Sequence, residues 1–150
     1  MSLIRRLFCV LLLLQSAGYS QWAPIVGDTN EHVLIDVIEV DDGFLAVGSK
    51  ADPTSGHNDG WLVKFNKSGN IVWQMVYGGK GDEILNCIAP TGDGGFIVGG
   101  CIYSGWRIGE YDVWIIKLNK YGKISWQKTL GIKTTEGKKY LFRACCVMRI

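Results

Sequence analysis

The sequence has little of what most catalytic sites require. It contains two histidines, His32 and His57, and neither has a cysteine nearby. A Ser/His/Asp catalytic set needs a histidine placed by the fold, and a zinc site needs several His or Cys ligands together. His57 falls in a polar loop, where a surface position is expected. We therefore predict no catalytic residues, no metal site, no cofactor and no enzyme activity.

Long apolar runs are also scarce. One lies at positions 7–14, directly after Arg5 and Arg6, and small residues follow it at positions 16, 17, 18 and 20. This order is typical of a secretory signal peptide, predicted here over residues 1–20. The run is shorter than the roughly 20 residues of a membrane span. We expect a secreted chain, extracellular or on the cell surface, with the periplasm as an alternative, and no membrane span after the signal.

Net charge is lacking once the signal is removed. The chain has 16 Lys+Arg and 14 Asp+Glu, and residues 1–20 hold two arginines and no acid, which leaves 14 of each sign. Nucleic-acid binding usually needs a basic field, so no nucleic-acid partner is predicted. Zero net charge also removes a repulsion between copies, and self-association is expected.

Four cysteines follow the signal segment, and none forms a Cys-x-x-Cys pair: Cys87, Cys101, Cys145 and Cys146. Export would permit disulfides. Cys87 and Cys101 are expected on neighbouring strands, but about two residues out of register. Free buried thiols are favoured there, and a disulfide stays open.

An internal repeat is what the sequence does contain. Residues 64–74 return with few changes as residues 117–127, and Trp61 and Trp114 are 53 positions apart, as are Trp73 and Trp126. A repeat of about 50 residues made of short β-branched and aromatic runs indicates propeller-type blades. A large ring that recurs in every blade is expected to pack against the next one, so these four tryptophans are interpreted as structural residues of the repeat.

The turn and strand signals divide the chain into units. Each unit is predicted to hold four strands, which gives two repeats over residues 21–131, at about 30–79 and 82–131. Residues 132–150 lose the pattern and are interpreted as a degenerate or truncated third repeat. The predicted fold is all-β, with two four-stranded antiparallel propeller-type blades forming a partial β-propeller.

The repeat resembles a family of secreted bacterial proteins built from tandem propeller-like units. The resemblance rests on Asp-Gly-Gly-Phe at 93–96, Asp-x-Trp at 112–114 and Gly-x-Ile-x-Trp-Gln at 122–127. Residues 118–126 are also similar to the tryptophan docking motif of quinoprotein propellers, and the units are similar to kelch-type blades. The resemblance implies blade architecture and an extracellular or surface location.

Function in repeat arrays tends to lie on the loops that differ between units. The second unit carries Trp106 and Arg107 in such a loop, without counterparts in the first. We interpret this pair as a weak candidate site for a protein or glycan partner. The predicted function is an exported, non-catalytic repeat module, structural or partner-binding, possibly part of a longer protein. The alternatives are a carbohydrate-binding module and a quinoprotein-like cofactor protein.

Overall fold

Eight strands form in the computed structural model, which describes residues 32–103 and 111–131. No helix occurs within these two ranges. In chain order the strands are β1 (His32–Val40), β2 (Gly43–Ala51), β3 (Asn58–Asn66), β4 (Ile71–Tyr77), β5 (Glu83–Pro90), β6 (Phe96–Tyr103), β7 (Tyr111–Leu118) and β8 (Ile124–Leu130).

The strands form two antiparallel sheets with the same order. Strands β1–β4 make sheet one and strands β5–β8 make sheet two, each with neighbours in chain order. Short turns join most of them, as hairpin-connected antiparallel strands allow. The prediction of an all-β fold with two four-stranded antiparallel sheets is confirmed, and the arrangement is consistent with partial propeller-type blades.

The two sheets share their irregularities. The pairing shifts between Leu34 and Asp36 in the first strand of sheet one, and between Leu85 and Cys87 in the first strand of sheet two. A further shift recurs at the end of each third strand, next to Phe65 in sheet one and Leu118 in sheet two. Bulges of this kind increase local twist, so both sheets are shaped alike.

The outer turn of each sheet is organised by an asparagine. The Asn66 carboxamide oxygen accepts bonds from the amides of Ser68 and Asn70 at 3.0 and 2.9 Å. Asn119 does the same for the amides of Tyr121 and Lys123. Asparagine recurs here because its side chain holds the turn.

A shared core joins the sheets. Side chains alternate between the faces of a strand, and one face of sheet one packs against one face of sheet two, with β5 against β1, β2 and β3. The buried residues of this core are Leu45, Val47, Leu62, Tyr77, Leu85, Ile88, Phe96, Val98, Trp114, Ile116 and Leu118. A second cluster, on the opposite face of sheet one, contains Ala46, Trp61, Val63 and Phe65.

Directional polar bonds also join the two sheets. The Asp36 carboxylate accepts a bond from the Ile88 amide at 3.0 Å, between the first strands of the two sheets. At the outer edge, the Tyr77 hydroxyl donates to the Gly122 carbonyl at 2.5 Å. The relative position of the sheets is therefore set by directional contacts as well as by apolar packing.

Cys87 and Cys101 form no disulfide with each other. Cys87 pairs with Gly99 and Cys101 with Ile84, so the two cysteines are two residues out of register on neighbouring strands. Cys145 and Cys146 lie outside the described residues. The described residues provide no helix that is long and apolar enough to cross a membrane.

Candidate functional site

The candidate site is the face of sheet two that points away from sheet one. Phe96, Trp114 and Ile116 pack into the shared core, so the residues that alternate with them point to the other side. We call this side the outer face of sheet two. It includes Ile97, Ile115, Lys117, Trp126, Lys128 and Leu130.

The corresponding face of sheet one is covered. Leu45 and Leu62 are 1% and 0% exposed, and the β4 residues Trp73 and Met75 pack against the same core. A Cβ added to Gly122 would lie 3.0 Å from the Met75 sulfur and 3.2 Å from the Trp73 ring. The turn between β7 and β8 therefore sits directly on the last strand of sheet one.

The outer face of sheet two is open at the equivalent strand. Trp126 corresponds to Trp73 by the 53-residue offset and is 46% exposed. Leu130 corresponds to Tyr77 and is 52% exposed, against 8% for Tyr77. Lys128 lies between them along β8 and is exposed, whereas Ile97 and Ile115 are half-buried. An aromatic ring, a cation and an aliphatic side chain thus line one strand at the surface.

One lysine of this face is already paired. Lys117 forms an ion pair with Asp93 at 2.9 Å, and its hydrogen bond to that carboxylate holds the pKa of Asp93 well below its usual range. Lys64 is paired with Asp42 in the same way in sheet one, and this bond lowers the pKa of Asp42. These acids hold strand ends and turns together.

The four repeated tryptophans occupy different environments. Trp61 and Trp114 are 2% and 5% exposed, and Trp73 is half-buried. The indole N–H of Trp61 donates to Gln74 at 2.9 Å, and that of Trp114 donates to Gln127 at 3.0 Å. The sequence alone gave these two glutamines no predicted role, although each of them directly follows a repeated tryptophan.

The loop candidates Trp106 and Arg107 lie outside the described residues. The strands that flank this loop meet at its base, where the rings of Tyr103 and Tyr111 are 6.1 Å apart in an edge-to-face arrangement. An edge-to-face pair adds a favourable contact beyond its buried area. The ends of the loop are therefore held together by sheet two.

A polar junction joins the sheets near the start of β5. Asp82 accepts a bond from the Asn58 amide at 2.8 Å and lies 3.8 Å from the His57 ring nitrogen. Glu83 is 1% exposed and accepts a bond from the Gly79 amide at 3.0 Å. Burial raises the pKa of Glu83. Within residues 32–103 and 111–131, no three His, Cys, Asp or Glu side chains are grouped so that they could hold a metal ion.

Comparison with known proteins adds no assignment. No protein-family model matches the chain, and a search of curated proteins finds no match.

Proposed function

We propose that this protein is an exported, non-catalytic repeat module of the propeller type, and that it binds a partner through the outer face of sheet two. Export is supported by the signal-like order of charge, apolar run and small residues over positions 1–20. The evidence for a binding role is an exposed surface and not a set of reactive side chains. The charged side chains characterised above mostly serve turns, strand ends and the junction between the sheets.

The contrast between two equivalent strands carries this proposal. In β4, Trp73 and Tyr77 contact the neighbouring sheet, and Tyr77 is 8% exposed. In β8, Trp126 and Leu130 are 46% and 52% exposed. A surface that is used for packing in one sheet is thus open in the other, with its tryptophan retained.

The open surface is large enough to matter for affinity. A tryptophan side chain buries about 150–250 Å², so covering the exposed half of Trp126 removes roughly 100 Å² from water. At about 25 cal/mol per Å² this amounts to about 2–3 kcal/mol. Tryptophan is also among the residues that most often dominate binding energy at interfaces. Trp126 is therefore the expected centre of the contact.

Hydroxyl-radical footprinting of the full chain tests the proposal. In purified protein we expect Trp126 to be oxidised much faster than Trp61 and Trp114. In the native extracellular fraction, partner binding should slow oxidation of Trp126 and leave the exposed His57, in the loop between β2 and β3, as an internal reference. Equal oxidation of Trp126 in both samples would contradict the binding role.

Two further measurements test the proposed export and the cofactor alternative. Amino-terminal sequencing of secreted protein should locate the first residue after the signal segment, and a start at Met1 would contradict export by cleavage. An absorbance spectrum of the purified chain should show no quinone band, and such a band would favour the cofactor alternative.

A further inference from the structure

We infer that the ligand of this face is an acidic polysaccharide, a chain of sugar rings bearing carboxylate or sulfate groups. The inference rests on the proposed function, since it names the class of partner for the same surface. It follows from the charge of the hairpin that carries Trp126, from the way that hairpin departs from its counterpart, and from the chemistry of its exposed side chains.

The hairpin formed by β7 and β8 is basic, and Asp112 is its one acid. Residues 113–131 include four lysines and no Asp or Glu, whereas the equivalent residues 60–78 include two lysines. Lys117 is neutralised by Asp93 at 2.9 Å. Lys120, Lys123 and Lys128 are exposed, and none of them forms a salt bridge with another described residue. Within the described part of the chain, three positive charges are therefore available to a ligand.

The additional lysines of this hairpin stand at positions where the sequences of the two sheets differ. Lys128 stands at the position of Met75, and Lys123 at the position of Asn70. Residues needed for packing must recur in every unit, but residues that bind a ligand need not. Met75 lies against the neighbouring sheet, and a lysine at its position disfavours burial because a desolvated charge is costly. The outer face of sheet two is thus poorly suited to a further blade or a second copy.

The outer face of sheet two also lacks a hydrogen bond that joins sheet one to sheet two, which again makes it poorly suited to a further blade. Tyr77 donates to the Gly122 carbonyl across the sheet junction at 2.5 Å. Its counterpart Leu130 has no hydroxyl group, so the outer face of sheet two cannot make this bond to another sheet. Two of the three residues that β4 turns toward its neighbour have therefore changed character in β8.

The exposed aromatic rings favour sugar as the carrier of the negative charge. Trp126 and Lys128 are two residues apart on one strand, which places their side chains on the same face about 7 Å apart. The face of an indole ring is electronegative and apolar, and it attracts the C–H groups of a sugar ring. Tyr121 is 60% exposed, and the Lys120 ammonium lies 4.9 Å from its ring centre. Stacking rings with lysines beside them suit a flat, charged sugar chain.

Retention of the full chain on defined probes tests the inference. The acidic sugar probes are heparin, with sulfate and carboxylate groups, and polygalacturonate, with carboxylate alone. The comparison probes are neutral dextran, polyglutamate and single-stranded DNA. Reductant is present throughout, so that thiol cross-links play no part.

We expect both acidic polysaccharides to bind and dextran to be excluded. Trp126→Ala should weaken binding roughly tenfold, the effect of losing one good contact, and Trp126→Phe should retain most of it. The double variant K123Q/K128Q should weaken binding and flatten its dependence on salt, as expected when charge contacts are removed. The matched control K67Q/K80Q removes two exposed lysines outside the β7–β8 hairpin and should change binding less than threefold.

Other outcomes would overturn the inference in distinct ways. Equal binding of polyglutamate or DNA, unaffected by Trp126→Ala, would show charge attraction alone, and equal binding of dextran would show that charge is irrelevant. Self-association that Trp126→Ala abolishes would make a second copy the occupant. In each of these cases the outer face of sheet two still binds a partner, and only the class of partner is wrong. If neither set of variants alters any binding and Trp126 stays open to oxidation in native secretions, the proposed function fails as well.

Discussion

Replacement of Trp114 by alanine should cost far more stability than the same change at Trp126. The two residues lie in the same sheet, but Trp114 is 5% exposed within the shared core and Trp126 is 46% exposed. Truncation of a buried tryptophan costs about 3–5 kcal/mol, because apolar contact is lost and a cavity remains. Trp126→Ala leaves no closed cavity, and we expect a loss of roughly 1–2 kcal/mol.

The indole hydrogen bond adds little to this difference. Trp114 donates to Gln127 at 3.0 Å, and Gln127 is exposed. Its amide regains water when the indole is removed, so the net loss is at most about 1 kcal/mol. The expected penalty at Trp114 is therefore mainly one of packing.

Urea denaturation of the full chain measures both effects. With a slope of about 2 kcal/mol per M, Trp114→Ala should lower the midpoint by roughly 1.5–2.5 M, and Trp126→Ala by less than about 1 M. Total stabilities of small domains are about 5–15 kcal/mol, so Trp114→Ala approaches the limit of folding. Trp114→Phe fills part of the cavity and should give an intermediate midpoint. Equal midpoint shifts for Trp114→Ala and Trp126→Ala would refute the assignment of these environments.

Three further changes test other parts of the structure. Tyr77→Phe removes the bond to the buried Gly122 carbonyl and should cost about 1–2 kcal/mol in urea denaturation; an unchanged midpoint would place the hydroxyl in water. Burial raises the pKa of Glu83, so its favourable contribution is complete below the pKa of the unfolded chain and is lost as pH rises through the folded pKa. Glu83→Gln should therefore melt at higher temperature than the parent at pH 7, with a smaller gain near pH 4, and a lower melting temperature at pH 7 would contradict this. Val37 is 59% exposed on the edge strand β1, where unpaired edges invite association; Val37→Lys should reduce the mass found by light scattering, and an identical mass would assign association to another surface.

The sequence alone determined the class of fold and the division into strands. Hydrophobic runs of four to eight residues, separated by Asp-Gly and Asn-x-x-Gly turns, define strands and hairpins locally, because turn residues and alternating side chains act over a few positions. The outer turns show this directly, since Asn66 bonds to amides no more than four positions away. Strand β2 continues to Ala51 and β6 to Tyr103, because pairing with β3 and β7 extends ladders that the apolar runs do not mark.

Only the tertiary structure decided which equivalent residues are covered. Trp73 and Trp126 both lie in Ile-x-Trp-Gln segments, yet the first packs near Gly122 while the second is 46% exposed. The burial of a side chain depends on what lies across from it, and that is set by the stacking of one sheet on another. The same holds for the bond from Tyr77 to the Gly122 carbonyl, whose partners are 45 residues apart. Strands follow from local chemistry, whereas the open face proposed for binding exists because sheet one is covered by sheet two and sheet two retains an exposed strand.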